Sequence, residues 1–372
     1  MSQTPPIPPT LFAIPLSPVT QAQVLHTIAE RVSQNQQTRI VTVNPEFILT
    51  SLHNSEFRKT LQTADLQLAD GIGLIWATHL LQLTPRFPRW CQRLPRLYSA
   101  WQCFYTLASI PFSKAIYSQL PERVTGSDLF LPLLRQLAAN NQSVFLLGGA
   151  PGVAEATAKK VTESIPNLTI AGTYVGSPTP EESKQIISTI KNSGAQALFV
   201  AFQFPKQDIW IHDHLPQLPQ VKVAIGVGGT FDFIAGTAHL HHQHAKAKRA
   251  PKLIQKLQLE WLWRLFTQPH RWKRIWNATG VFIGKVWQEK TATNKSDCHS
   301  GGSLLQEKGL SYSPMFNFVI VALLVGFPLT AHAYIDPGAG SSIIQVAIAS
   351  IVAGMFGLKV LWQKFLIRAK RK

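Results

Sequence analysis

Thr38-Arg39-Ile40-Val41-Thr42-Val43-Asn44-Pro45-Glu46 is the stretch that decides the fold. Its front is rich in β-branched residues, which favour an extended chain, and Asn44-Pro45 then stops the run and opens a helix, because proline is tolerated at the first helical position. A strand that passes straight into a helix is the repeating unit of a sheet whose parallel strands are joined by crossover helices. Working outward, the alternation recurs as far as Gly229. Short apolar or β-branched runs stand at 66–69, 143–147, 168–172, 197–201 and 221–226, with helical stretches between them. Each run ends in a polar or glycine-rich turn. The expectation is an α/β domain over residues 1–240, a mostly parallel sheet with helices on both faces. In such sheets ligands bind beyond the carboxyl ends of the strands, so the turns are where chemistry is to be sought.

Composition narrows the class. The chain has 372 residues, 45% of them hydrophobic, which excludes disorder and leaves room for a substantial core. Its formal charge of +17 points to anionic lipid, nucleic acid or phosphorylated substrates. Cys91, Cys103 and Cys298 lack C-x-x-C spacing, so neither a zinc site nor a disulfide framework is indicated and a reduced, cytosolic setting fits. The proline-rich first 20 residues carry no basic residue ahead of an apolar stretch, unlike a secretory signal.

Three further regions follow from pattern. At 82–122 the α/β alternation fails, and prolines, arginines and aromatics including Trp90 and Trp101 crowd together. This reads as an insertion, either a surface excursion packing its own aromatics or a basic lobe touching a membrane. Residues 241–290 hold eleven Lys and Arg against Glu260 and Glu289, interleaved with Trp261, Trp263, Trp272, Trp276 and Trp287. Basic residues mixed with tryptophan suit a bilayer interface better than a nucleic-acid groove, so this is read as a basic helical appendage and no nucleic-acid partner is expected. After a polar linker at 291–314, residues 315–372 hold two apolar segments at 316–333 and 343–362. Their lengths approach what a hydrocarbon core of roughly 30 Å requires. Basic residues flank the pair on both sides, so the segments read as a transmembrane helical hairpin with both ends in the cytosol. The first segment also resembles a signal peptide, ending in Ala-His-Ala.

Five strand ends carry the residues that chemistry could use. Thr42 and Asn44 offer a hydroxyl and an amide, or simply cap a helix. Asp70-Gly71-Ile72-Gly73 offers a carboxylate facing the crevice and backbone open to a ligand, or an N-cap aspartate. Gly148-Gly149 precedes a helical run and reads either as a plain tight turn or as a cradle for a diphosphate. It matches neither the Walker loop nor the dinucleotide fingerprint. Lys206 can bind phosphate and Gln207 a base or sugar, while Gly228-Gly229 and Asp232 close the last turn. No two acidic residues stand at i and i+2, so the D-x-D metal clamp of many nucleotide-sugar transferases is missing. Cationic side chains would then offset a diphosphate, with no metal and no cofactor required. His239, His241, His242 and His244 have no acid or cysteine beside them and read as a basic loop rather than a metal site.

In order along the chain, Thr42-x-Asn44, Asp70-Gly71, Arg123-Val124-Thr125-Gly126-Ser127-Asp128-Leu129, Leu147-Gly148-Gly149, Pro205-Lys206-Gln207, Gly228-Gly229-x-Phe231-Asp232 and Arg249-Ala250-Pro251 resemble the WecG/TagA/CpsF glycosyltransferases. So do Glu260-Trp261-x-x-Arg264-Leu265 and Pro269-x-Arg271. The resemblance spans about residues 10 to 285. It implies a Rossmann-like, inverting, metal-independent transferase that moves N-acetylmannosamine or a relative from a UDP donor onto a polyprenyl-diphosphate-linked N-acetylglucosamine. By the same resemblance Asp70 is the base, Thr42 and Asn44 line the sugar site, and Gln207 contacts the donor. Arg249, Arg264 and Arg271 would complete the site near the bilayer, with Arg264 among the catalytic groups and Arg123, Gly148, Gly149, Lys206, Gly228, Gly229 and Asp232 among the binding ones. Asp208 departs from the family, which usually has glutamate there. The setting implied is envelope or exopolysaccharide synthesis at the cytoplasmic membrane; self-association is left open. The competing reading is a non-catalytic nucleotide-binding scaffold that recruits envelope-assembly enzymes.

Overall fold

A computed structural model describes residues 8–83, 95–110, 114–236 and 276–299, and residues 251, 263 and 272 singly. A small antiparallel hairpin, β1 (Thr10–Leu11) and β2 (Ile14–Pro15), leads into α1 (Gln21–Ser33) and β3 (Thr38–Val43). Then come α2 (Pro45–Ser51), α3 (Ser55–Gln62), β4 (Leu66–Ala69), α4 (Ile72–Gln82), α5 (Pro95–Ser109) and α6 (Gly126–Ala139). The second half continues with β5 (Val144–Gly148), α7 (Val153–Ser164), β6 (Ile170–Tyr174), α8 (Pro180–Ser193), β7 (Ala197–Ala201), α9 (Lys206–His214), β8 (Val223–Gly226) and α10 (Thr230–Ala235). A π-turn at Asn277–Val281 opens the last described helix, α11 (Phe282–His299).

Six strands form one parallel sheet in the order β4-β3-β8-β7-β5-β6. Every residue of β3, β4, β5, β7 and β8 is buried, as strands covered by helices on both faces must be. Ile40, Leu146, Phe199 and Ile225 point to one face, where they meet Val24 of α1, Leu133 of α6, Val161 of α7 and Phe231 of α10. Val41, Leu147, Val200 and Ala224 point to the other, toward α3, α4, α8 and α9. Each such large apolar side chain contributes about 1.5–3 kcal/mol when fully buried.

Strands β3, β4 and β7 fall where the sequence predicts them. β6 begins two residues later than expected, because this edge strand is only half-buried and ends in Thr173-Tyr174 rather than in an apolar run. The β1–β2 hairpin escapes the sequence reading, since Phe12 and Ala13 take positive φ at its tip without any glycine or asparagine signal. The predicted hairpin at 316–333 and 343–362 and the histidines at 239, 241, 242 and 244 lie outside the described residues. Among the described residues no helix is long and apolar enough to cross a membrane.

Within the segment expected to be an insertion, α5 packs on α4. Trp76 of α4 is fully buried, and its Nε1 donates to Thr106 Oγ1 at 2.8 Å. α11 packs on both of these helices, burying Phe282 and Val286 beside Ile75 and Trp76. Its Lys290 is buried too and donates to the carbonyls of Leu81 and Leu83 at the end of α4. A cation there complements the negative end of the helix dipole and satisfies carbonyls that the helix leaves unpaired.

Candidate active site

The strand ends carry two different surfaces side by side. Over β3 and β4 the surface is made of side chains. Val43 pairs with Ala69 in register, and the Asp70 amide donates to the Val43 carbonyl at 2.7 Å, so Asp70 leaves the sheet beside the end of β3. Val124 donates to the Ala69 carbonyl at 3.1 Å, which lays Arg123 along the same edge. Gly126 lies against Thr42, where an added Cβ would stand 3.4 Å from Thr42 Cγ2. Thr42, Asp70 and Arg123 therefore converge from three elements; Thr42 is buried, while Asp70 and Arg123 are half-buried.

Asn44 caps α2, its Oδ1 accepting from the amides of Glu46 at 2.9 Å and Phe47 at 3.1 Å. That commits its carbonyl and leaves the Nδ2 end for other use. The N-cap of α4 is Gly71, at φ 141°, so Asp70 stands one residue ahead of the cap position, where β4 gives way to the helix.

Over β5, β7 and β8 the surface is main chain. Gly148 has φ 94°, and a Cβ there would meet the Ala201 carbonyl carbon at 2.9 Å, so only glycine lets β5 and β7 end this close. Gly149 donates to Ala201 O at 3.1 Å and Val227 to Val200 O at 2.8 Å, tying the three turns together. Lys206 and Gly229 are exposed, whereas Gly149, Gly228 and Asp232 are half-buried. Gln207 is buried, and its Oε1 accepts from the Gly228 amide at 3.1 Å. Its position is made by Gly226, where a Cβ would stand 2.5 Å from Gln207 Nε2 and 3.0 Å from Asp208 Oδ1.

Asp208 itself is a finding. It is 1% exposed, and neither carboxyl oxygen has a hydrogen-bond partner of good geometry. Burial pushes its carboxyl up to about 7, and the nearby Gln207 side chain, the Arg39 guanidinium and its own amide offset this only in part. Nothing in the local sequence signals it, because an aspartate in the first turn of a helix ordinarily faces water and favours the dipole. The burial comes from the space left by Gly226, a long-range fact. The docking of Phe282 is equally silent in sequence: its ring packs beside Gly73 at the start of α4, at ordinary contact distance from where a Cβ would stand.

Arg249, Arg264 and Arg271 lie outside the described residues, so only the α11 end of the appendage can be followed to the site, through its grip on α4. Among the described residues no three His, Cys, Asp or Glu side chains gather in a way that could hold an ion.

A parallel doubly covered sheet carries an acid and a cation beside one pair of strand ends and glycine-lined turns over the next, the arrangement of an α/β enzyme. The chain belongs to the glycosyl transferase WecG/TagA/CpsF family, whose model matches residues 9–95 and 110–296, and it is a glycosyltransferase. It is similar to an N-acetylglucosaminyldiphosphoundecaprenol N-acetyl-beta-D-mannosaminyltransferase of Bacillus spizizenii, at 30% identity over 252 residues, covering 68% of this chain and 80% of that protein. The family match leaves out residues 96–109, all of α5 but its first residue.

Proposed function

We propose that this enzyme transfers N-acetylmannosamine, or a closely related sugar, from a UDP donor to a polyprenyl-diphosphate-linked N-acetylglucosamine. It does so with inversion and without a metal ion. Asp70 takes the proton from the acceptor hydroxyl as that oxygen attacks the anomeric carbon; the bond to UDP breaks, and UDP leaves with the electron pair. Arg123 supports the reacting groups from beside Asp70. The turns at Gly148, Gly149, Gly228 and Gly229, bare of side chains, let the donor approach the backbone closely, and Lys206 adds charge at their rim. Arg249, Arg264 and Arg271 offset the charge that develops on the leaving diphosphate. The acceptor's lipid and the predicted apolar pair at 316–333 and 343–362 fit a catalytic domain working at the cytosolic face of the membrane.

The observation that carries this reading is the place of Asp70, half-buried just past the end of β4, on the edge along which Val124 lays Arg123. The name of the Bacillus relative supplies the sugar and the acceptor as a hypothesis for this chain. The test incubates purified full-length protein with UDP-N-acetylmannosamine and a lipid-linked N-acetylglucosamine diphosphate in EDTA, and reads product by mass spectrometry and anomeric configuration by NMR. A β-linked disaccharide lipid is expected. No turnover, or turnover only after a divalent ion is restored, would overturn the reading.

A further inference from the structure

Helix α5 is built inside out. Its buried stripe, at the 3.6-residue spacing of a helix face, is Ser99, Gln102, Cys103 and Thr106, and Gln102 Oε1 is buried without a hydrogen-bond partner. Its outer stripe is aromatic. Tyr98 stacks on Trp101 with ring centres 5.9 Å apart, and Trp101 on Tyr105 at 5.5 Å, while Phe104 and Tyr105 are 49% and 40% exposed. A helix that ends at water presents the opposite pattern, polar outward and apolar inward. Three adjoining aromatic rings held in a ladder, with a phenylalanine beside them, form a continuous apolar face of the sort that marks an interaction site.

Charge decides what covers it. Between Asp70 and Glu122 the chain has no acidic residue, while Arg86, Arg89, Arg93, Arg96 and Lys114 are basic, and Arg96 is exposed on the first turn of α5. Aromatic rings with polar edges, in a stretch of sequence that carries arginines and no acids, match the headgroup region of an acidic bilayer, where tyrosine and tryptophan sit with one side wet. α11, which packs on α5, follows a stretch in which Trp272 and Trp276 are also exposed. We propose that the outer face of α5 lies on an acidic lipid surface and seats the catalytic domain there. The family match does not cover this helix beyond its first residue. Through Trp76 and Thr106 α5 bears on α4, the helix that starts beside Asp70. The proposal borrows from the proposed function only the lipid nature of the acceptor.

The test places a nitrobenzoxadiazole label at Phe104→Cys in the full chain, with Cys91 and Cys298 changed to serine. Cys103 stays unlabelled, because burial pushes its thiol up to about 12. A second preparation carries the label at Lys184→Cys on exposed α8 as control. With vesicles of brominated phosphatidylglycerol and phosphatidylcholine, the label at 104 should shift to the blue and lose most of its emission, while the label at 184 keeps its own. No quenching at 104 overturns the proposal. So does equal quenching in pure phosphatidylcholine, which would remove the acidic lipid, or shielding that grows with protein concentration in the absence of lipid, which would make a second copy the occupant. No sugar nucleotide or acceptor is present, so the outcome is independent of the transferase assay.

Discussion

Over β3 and β4 the strand ends present side chains, and over β5, β7 and β8 they present main chain. At Thr42, Asp70 and Arg123 the atoms that could react or bind belong to particular functional groups, so exchanging a group of the same shape should remove the chemistry and keep the fold. At Gly148 and Gly226 the side chains that matter are those that are absent, because a Cβ would strike the Ala201 main chain in one case and Gln207 in the other. There, adding a methyl group should do the damage. The two halves are joined because β3 pairs with β8, so a defect in either can be read against the other as an internal control.

The largest effect belongs to the side-chain half. Asp70→Asn keeps size and hydrogen-bonding reach but cannot accept a proton, so kcat should fall on the order of 100- to 10,000-fold, the usual worth of a general base. UDP binding, measured by calorimetry, should be unchanged if the donor lies, as proposed, over the other strands. Loss of UDP binding together with turnover would erase the division between the halves.

Asp208 sharpens the contrast, since it is an acid on the main-chain half and has the opposite surroundings to Asp70. Its folded carboxyl titrates at about 7 against an ordinary 3.8, so the folded chain holds an extra proton between these values. The stability this confers is complete below about pH 4 and is lost as pH rises through 7, where the buried group must ionise. The span of that loss is at most about 4 kcal/mol. The charged groups near it that set the balance are Arg39, whose guanidinium is itself pushed down by burial, and Asp65 and Asp213 beside Arg39. Asp208→Asn should therefore melt close to the parent protein at about pH 4 and clearly above it at pH 8. Parallel melting curves for the two proteins across this range would show that the carboxyl is not confined as described.

What could be read from sequence follows the same division. The strand runs at 38–43, 66–69 and 197–201 are legible to the residue because burial on both faces demands unbroken apolar or β-branched character, and that demand is local. Asp70 and Thr42 are legible as candidates because a strand end is a place the pattern marks. The main-chain half is legible only as glycines, whose meaning depends on neighbours far away in sequence: Ala201 for Gly148, and Gln207 with Asp208 for Gly226. α5 is illegible for a third reason. Its buried stripe is polar and its exposed stripe aromatic, so the rule that assigns apolar residues to the inside misdirects the eye, and the segment reads as a failure of pattern.

The smallest effect tests whether absence of a side chain is truly the design of the second half. Gly226→Ala adds one methyl group where Gln207 Nε2 would be 2.5 Å away and Asp208 Oδ1 3.0 Å away. Both are held by a helix and cannot withdraw freely, so overpacking should cost roughly 1–3 kcal/mol and displace Gln207 Oε1 from the Gly228 amide. UDP affinity should weaken several-fold, while kcat at saturating donor stays near that of the parent, the reverse of the Asp70→Asn pattern. Shortening the neighbour as well, in Gly226→Ala with Gln207→Ala, relieves the clash but leaves the Gly228 turn without its tether, so the melting temperature should recover and the UDP affinity should not. Recovery of both would reduce Gln207 to packing; recovery of neither would mean that β8 itself, rather than the tether, has moved.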